Sequence, residues 1–487
     1  MSITSNTSGS CAIDVEYESI TVGSITSCEY NRETLRLLKA DDPRLTHLVV
    51  SYGQDTHEGD ETYHFCGGGN LSSRGREKCL GWIGHFAGKS SRLKSFGFCC
   101  AQRQHGVEEI VEFGEEDIAK LFHGLCHNTM IEELFLSEVT LEVVLPQVVG
   151  FVKNRDLKTF HIFCCDWVGT ESGHMQSIIQ DCSNLQELAI GGPSDVDPDD
   201  YPLDEVAALV FDIAQTTVGL HRLELLSLEA MFLSSGACKA IGSLIRTSTT
   251  LSTVGLSDCY IGDVKQIADA VATNDSIKDL SFHNNGYGIG LHCRRFGDKG
   301  AECFANALAC NRTLTKLDIG RNGITRAGWD LFKNSLCSTA TIADTYYSNH
   351  VIQQLVPNEV DVVGQLIISE GTRELLRLNR ADYAHLTGDD DVFAFNQGST
   401  SHVAVNKILK FHKHFEMRPF FGFGLVLLPY VIEWFERAGT IKRDFDARID
   451  QKKMWTLYQF VRELPELSVE SFAGKLETAS EKRMRIH

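Results

Sequence analysis

Several stretches of this chain place chemistry-bearing residues close together. "GWIGHFAGKS" (81–90) nearly forms a phosphate-binding loop. Such a loop needs Gly, four residues, then Gly-Lys-Ser, so that backbone N–H groups cradle the phosphates and the lysine reaches them. Gly84 stands one residue too close to Gly88 and Gly81 too far, so the segment reads as a helix with its exit loop. "FCGGGNLSSRGRE" (65–77) is glycine-rich, but no clear strand precedes it as a dinucleotide fingerprint requires, and it reads as a flexible loop. Asp195, Asp197, Asp199, Asp200 and Asp204 offer hard oxygen ligands to calcium. An EF-hand loop needs a central Gly and a closing Glu, and Pro198 and Pro202 replace that geometry. A solvated loop, or one that touches a basic partner, fits better. Cys99–Cys100 and Cys164–Cys165 are adjacent, whereas zinc-binding cysteine pairs leave two to four residues between them. His292 and Cys293 share a loop, His412 and His414 straddle a lysine, and no G-x-S-x-G nucleophile turn is present. These motifs lead to the expectation of no enzyme activity, no metal site and no cofactor.

The elements that position these residues repeat. "TLTKLDIGRNGI" (313–324) echoes "SIKDLSFHNNGY" (276–287) and "TLSTVGLSDCYI" (250–261). The pattern is L-x-x-L-x-L-x-x-N/C-x-L. Its clearest copy is Leu314, Leu317, Ile319, Asn322 and Ile324. Earlier copies begin at Ile277, Leu251, Leu185, Leu157 and Ile131, with degenerate ones at Leu93 and Leu45 and a last one at Ile342. Common steps are 26 and 28 residues. Near residue 220 two registers fit, starting at Leu220 or at Leu223. Alternating apolar residues belong to a short strand with one buried face. Asn322, Asn285, Cys259 and Cys165 hold the ninth position, where a side chain turned inward can satisfy backbone groups of a buried turn. Helical runs follow. Phe304, Ala307 and Leu308 share a face, as do Ile267, Ala270 and Val271, and Ile118, Leu121, Phe122 and Leu125. Inserted loops at 191–205 and 286–295 interrupt the array.

Units this long, each with a full helix, resemble the ribonuclease-inhibitor type of leucine-rich repeat over roughly residues 40–355. The resemblance implies an α/β horseshoe solenoid, with a parallel inner sheet and outer helices, that binds proteins on its concave sheet. From Pro357 the repeat signal fades into amphipathic helical segments at 374–380, 403–415, 425–439 and 451–464. Their order, "L-x-LNR … KIL-x-FH … LP-x-VI-x-WFERA … LYQFVRELP", resembles the tail of uncharacterised leucine-rich repeat proteins of diatoms and related algae. The expected organisation is a disordered or capping segment at 1–40, the repeat domain at 41–356 and a C-terminal α-helical cap at 357–487. The tail's aromatic residues could instead dock a second partner.

Charge narrows the partner. The net charge is −19, and residues 401–487 hold 15 Lys/Arg against 11 Asp/Glu, so the acid is concentrated in the repeats. Such a body repels nucleic acid and anionic lipid and favours a basic protein. The sixteen cysteines occupy repeat positions and no apolar signal core sits near Met1, which points to a reducing, cytoplasmic or nuclear setting. The longest uncharged apolar run, 419–432, is too short to span a membrane. Residues between the second and third framework positions should line the concavity: His161, Ala189, Gly255, Ser281 and Asp318, extended by His283 and Gly320. The leading expectation is a non-enzymatic scaffold that binds a basic protein there. Alternatives are a GTPase-activating protein for a Ran-type GTPase, against which the basic tail speaks, and a substrate receptor of a ubiquitin ligase.

Overall fold

In the computed structural model the described residues are 17–22, 29–51, 63–66, 73–99, 114–153, 155–193, 203–261, 264–285, 296–340, 342–356, 368–380, 403–404, 407 and 411. The chain divides into two compact units, Met1–Trp329 with Gln354–Ile368, and Asp330–Gln353 with Ser369–His487.

The first unit is an α/β leucine-rich-repeat solenoid. Its strands are β1 (His47–Ser51), β2 (Tyr63–Cys66), β3 (Ser95–Cys99), β4 (Glu133–Ser137), β5 (Thr159–Phe163), β6 (Glu187–Gly191), β7 (Leu225–Glu229), β8 (Phe232–Leu233), β9 (Thr253–Ser257), β10 (Tyr260–Ile261), β11 (Asp279–Ser281), β12 (Lys316–Asp318) and β13 (Gln354–Val356). An open, parallel, eleven-stranded sheet runs β13-β12-β11-β9-β7-β6-β5-β4-β3-β1-β2, while β8 and β10 form a small second sheet. Sequential parallel neighbours require a crossover at every step, and helices supply most of them. In chain order these are α1 (Glu29–Ala40), α2 (Ser73–Lys89), α3 (Glu115–Leu125), α4 (Leu141–Val152), α5 (Ser172–Asp181), α6 (Leu203–Thr217), α7 (Ser235–Thr247), α8 (Lys265–Val271) and α9 (Gly297–Cys310); the next helix, α10 (Arg326–Leu336), belongs to the second unit from Asp330 on. The framework residues do what their spacing predicts: Leu134, Leu136, Phe160, Ile162, Val254, Leu256, Leu280 and Leu317 are all fully buried.

Several expectations need correction. The ambiguous repeat near 220 starts at Leu223, because Leu226 and Leu228 fill the buried strand positions and pair with Val254 and Leu256. The last copy starts at Ile352, not Ile342. Residues Ile342–Tyr346 are a short helix (α11), and the strand that pairs with β12 places Leu355 opposite Leu317. The glycine-rich segment is preceded by a strand after all: β2 ends at Cys66 and α2 begins at Ser73, which leaves 67–72 outside the described residues. Within the segment expected to be disordered or capping, α1 is a helix with Leu35, Leu37 and Leu38 buried, packed near edge strand β2.

The turns after β4, β5, β7, β9, β11 and β12 share one geometry. Glu138, Cys164, Ala230, Asp258, Asn284 and Arg321 hold φ between 51° and 58°. All stand one residue before the ninth framework position. This left-handed residue swings the chain so that the next side chain points inward, at a steric cost that non-glycine residues bear only where the surroundings hold it. The stack supplies that hold. The N–H groups of Glu138, Ala230, Asp258 and Asn284 donate to Phe163, Ser257, His283 and Gly320 of the following coil at 2.9–3.1 Å.

In the second unit, Asn349 accepts the N–H groups of Val351 and Ile352 at 2.9 Å through Oδ1. Helix α12 (Glu370–Asn379) follows, and the Asn379 amide donates to the Ile352 carbonyl at 2.6 Å. Lys407 is fully buried, with Nζ donating to the carbonyls of Leu336 at 2.6 Å and Asn349 at 3.0 Å. Burial pushes its amine down to about 7. The other tail segments read as helices lie outside the described residues.

Candidate functional site

A parallel sheet with matched register turns one position of the repeat into a row. One residue from each of ten strands aligns in a row: Val49, Gly97, Phe135, His161, Ala189, Ser227, Gly255, Ser281, Asp318 and Val356. Buried and part-exposed residues alternate along β4, β7 and β9, so one face is packed and the face bearing this row is accessible. The structure thus sets His161, Ala189, Gly255, Ser281 and Asp318 side by side. Ala189 is buried, and Gly320 is buried beside Asp318. Ser227 belongs to the same row. Sequence reasoning missed it because the repeat at 220–223 had two readings; counting three residues on from Leu223 to Leu226 would have found it.

Asp318 is partly engaged. Its Oδ1 accepts the Gly320 N–H at 3.0 Å and stands 3.5 Å from Nδ1 of His283. His161 is edge-on to Phe135 and Phe163, with ring centroids 5.1 and 5.5 Å away. Those two aromatics were not singled out in the sequence, since phenylalanine at a strand position reads as core until the facing side is known. Burial pushes the His161 imidazole down from its ordinary value, with Glu133 pulling weakly the other way.

The acids are concentrated beside this row. Glu133 and Glu187 flank Thr159 across β4, β5 and β6, and Glu224 and Glu229 are exposed at the two ends of β7. Lys158 is matched to Glu132 at 2.7 Å, and Lys316 to Asp279 at 2.8 Å. The face between β4 and β7 is therefore acidic with an aromatic centre.

The ninth-position residues lie behind the strands. Asn322 donates to the carbonyls of Phe282 and Ile319 at 2.8 and 2.7 Å and accepts the Asn285 N–H at 2.8 Å. Asn285 donates to the Leu256 and Phe282 carbonyls, both at 2.7 Å. Cys259 reaches the carbonyls of Leu228 and Ser257 at 3.3 Å, and Cys165 that of Phe163 at 3.2 Å. Burial pushes the Cys165 thiol up to about 12 and the Cys259 thiol still further, so neither forms a thiolate near neutral pH. A second ladder follows the helices. Asn128, Asn274 and Asn311 each donate to two carbonyls of the coil before and accept an N–H of their own coil. Its sequence signal is an Asn three residues before the first framework position, visible in "NDSI" and "NRTL".

This burial makes a direct prediction. Iodoacetamide at pH 8 should modify the exposed Cys164 and Cys310 of the native protein and spare Cys165 and Cys259. Peptide mass spectrometry reads the result, and fast labelling of Cys259 would show an open stack.

The near-phosphate-loop string has another role. Helices α2 and α3 touch backbone to backbone: a Cβ on Gly84 would lie 2.3 Å from the Leu121 carbonyl oxygen, and one on Gly88 would lie 2.1 Å from that of Gly124. A cleft of about 550 Å³ opens beside this crossing, lined by Tyr17, His85, Lys89, Lys120, His123 and His127. Its lysines are paired, Lys89 with Glu18 and Lys120 with Glu116. Among the described residues no group of His, Cys, Asp and Glu is arranged to hold a metal ion. Nor is any described helix long and apolar enough to cross a membrane. The acidic loop and the His292–Cys293 and His412–His414 pairs lie outside the described residues, except that Asp204 is in α6.

A leucine-rich repeat family model matches residues 310–328, the coil that contains β12. No curated protein matches the chain. Among solved structures, a chain of the yeast Rad7–Elc1 complex is similar over 73% of this chain and 91% of its own length, at 11% identity and a TM-score of 0.33. That likeness is too loose to bear on the site.

Proposed function

We propose that this chain is a non-enzymatic scaffold that binds a basic protein partner on the accessible face of its leucine-rich-repeat sheet, the concave face in the ribonuclease-inhibitor type it resembles. The observation that carries the reading is the aligned row from Phe135 to Asp318 with acids beside it. Flat parallel rows offer a partner many adjacent side chains on a rigid frame, so binding costs little ordering of the scaffold. Local acid attracts cations and repels nucleic acid and anionic membranes. The loops at 191–205 and 286–295 would border the contact. The cysteine usage fits a reducing cytoplasmic or nuclear compartment.

The test is affinity purification with the full chain and a Ser227→Arg/Asp318→Lys double variant, with equal thermal melts as the folding control. Proteins captured by the wild type should be lost from the variant. Retention of the same set in equal yield would show that this face is not the binding surface.

A further inference from the structure

The accessible face is not uniform: among the described residues His161 and His283 each have a ring nitrogen with unmet hydrogen-bonding capacity, and only His161 is flanked by two aromatic rings. Among the described residues His161 Nε2 is buried and has no hydrogen-bond partner. Glu187 Oε2 lies 3.5 Å from it, too far for a good bond, on a side chain that is 46% exposed. Glu133 stands across Thr159 from Glu187, in the row beside that of His161. Phe135 and Phe163 bracket the imidazole and are themselves only half-buried. An unpaired buried nitrogen costs free energy until a partner satisfies it.

These features together select a ligand group. Two carboxylates ask for a cation. Two aromatic faces favour a flat, weakly hydrated one. A neutral imidazole nitrogen and a carboxylate a few ångströms apart ask for several N–H donors on one rigid frame. A guanidinium meets all three requirements, and an ammonium only the first in full. We propose that the patch of Phe135, His161, Phe163, Glu133 and Glu187 is the anchor point of the scaffold and takes an arginine side chain of the basic partner. The inference rests on the binding face proposed above and adds the residue type it reads. Burial disfavours the charged imidazole, and in the tautomer that carries its proton on Nδ1 the Nε2 lone pair accepts from the guanidinium.

The full chain is titrated by fluorescence anisotropy against a labelled alternating Gly-Arg decapeptide and its Gly-Lys and Gly-citrulline counterparts. The arginine peptide should bind at least tenfold more tightly than the citrulline peptide and severalfold more tightly than the lysine one. Glu187→Gln, Phe135→Ala and His161→Phe should each weaken the arginine peptide about tenfold, and His161→Gln, which keeps an acceptor, should lose less. Glu302→Gln, on the exposed side of α9, should change nothing. Equal binding of arginine and citrulline peptides overturns the proposal. So does an equal loss in Glu187→Gln and Glu302→Gln, which would mean that only overall acidity is read. If these fail while the Ser227/Asp318 variant still loses its partners, the binding face stands and the arginine anchor does not.

Discussion

Asn322→Ala should lower the unfolding free energy by about 4 kcal/mol. Asn322 is fully buried. Its amide satisfies the Phe282 and Ile319 carbonyls, and its carbonyl oxygen takes the Asn285 N–H. Alanine removes the side chain and leaves the Ile319 carbonyl and the Asn285 N–H dry and unpaired, at about 1–3 kcal/mol each before relaxation, while the Phe282 carbonyl keeps only its bond from the Asn285 amide. Because coils stabilise one another only through their neighbours, the loss should appear in the segment from β11 to β12. Urea denaturation with hydrogen exchange localises it. Cys259→Ala is the comparison: a thiol is a weak donor, and this substitution should cost about 1–2 kcal/mol through packing. Equal losses for the two would show that the amide is not what holds the coils together.

The second large effect concerns glycine. Glycine to alanine in an exposed helix normally stabilises by about 1 kcal/mol. Gly150 in α4 has open space where its Cβ would go, and Gly150→Ala should follow that rule. Gly84→Ala should do the opposite and destabilise by about 3 kcal/mol, because the new methyl meets the Leu121 carbonyl oxygen and carbon, which belong to a helix backbone and cannot swing aside. Only a separation of α2 from α3 relieves the clash, and that uncovers the Phe86 and Phe122 packing around it. Thermal melts of the two variants against the wild type give opposite signs. A Gly84→Ala protein as stable as Gly150→Ala would mean that α2 and α3 are not in backbone contact.

The same string, "GWIGHFAGKS", shows where sequence reading stops. Its glycines mimic a phosphate loop because both uses need a backbone without side chains. The spacing excluded the loop, and nothing in the linear order revealed that Gly84, Gly88 and Gly124 face one another. The repeat left undecided near 220 and the one misplaced at Ile342 have a related cause. Leu220 and Leu223 are both buried, so hydrophobicity could not choose between them. Ile342, Thr345 and Tyr347 have the right spacing, but the decisive signal was Asn349, whose side chain accepts the N–H groups of Val351 and Ile352 and so sets the start of the coil.

The periodic Leu, Ile and Val positions by themselves determined that the chain folds as stacked strand–turn–helix coils with an acidic body, because each coil is a local structure and its apolar period is written in consecutive residues. Only the tertiary structure decided that Phe135, His161, Phe163 and Glu187 meet on one face. Sideways adjacency depends on the register between strands more than twenty residues apart. That register follows from the summed packing and hydrogen bonding of whole neighbouring coils.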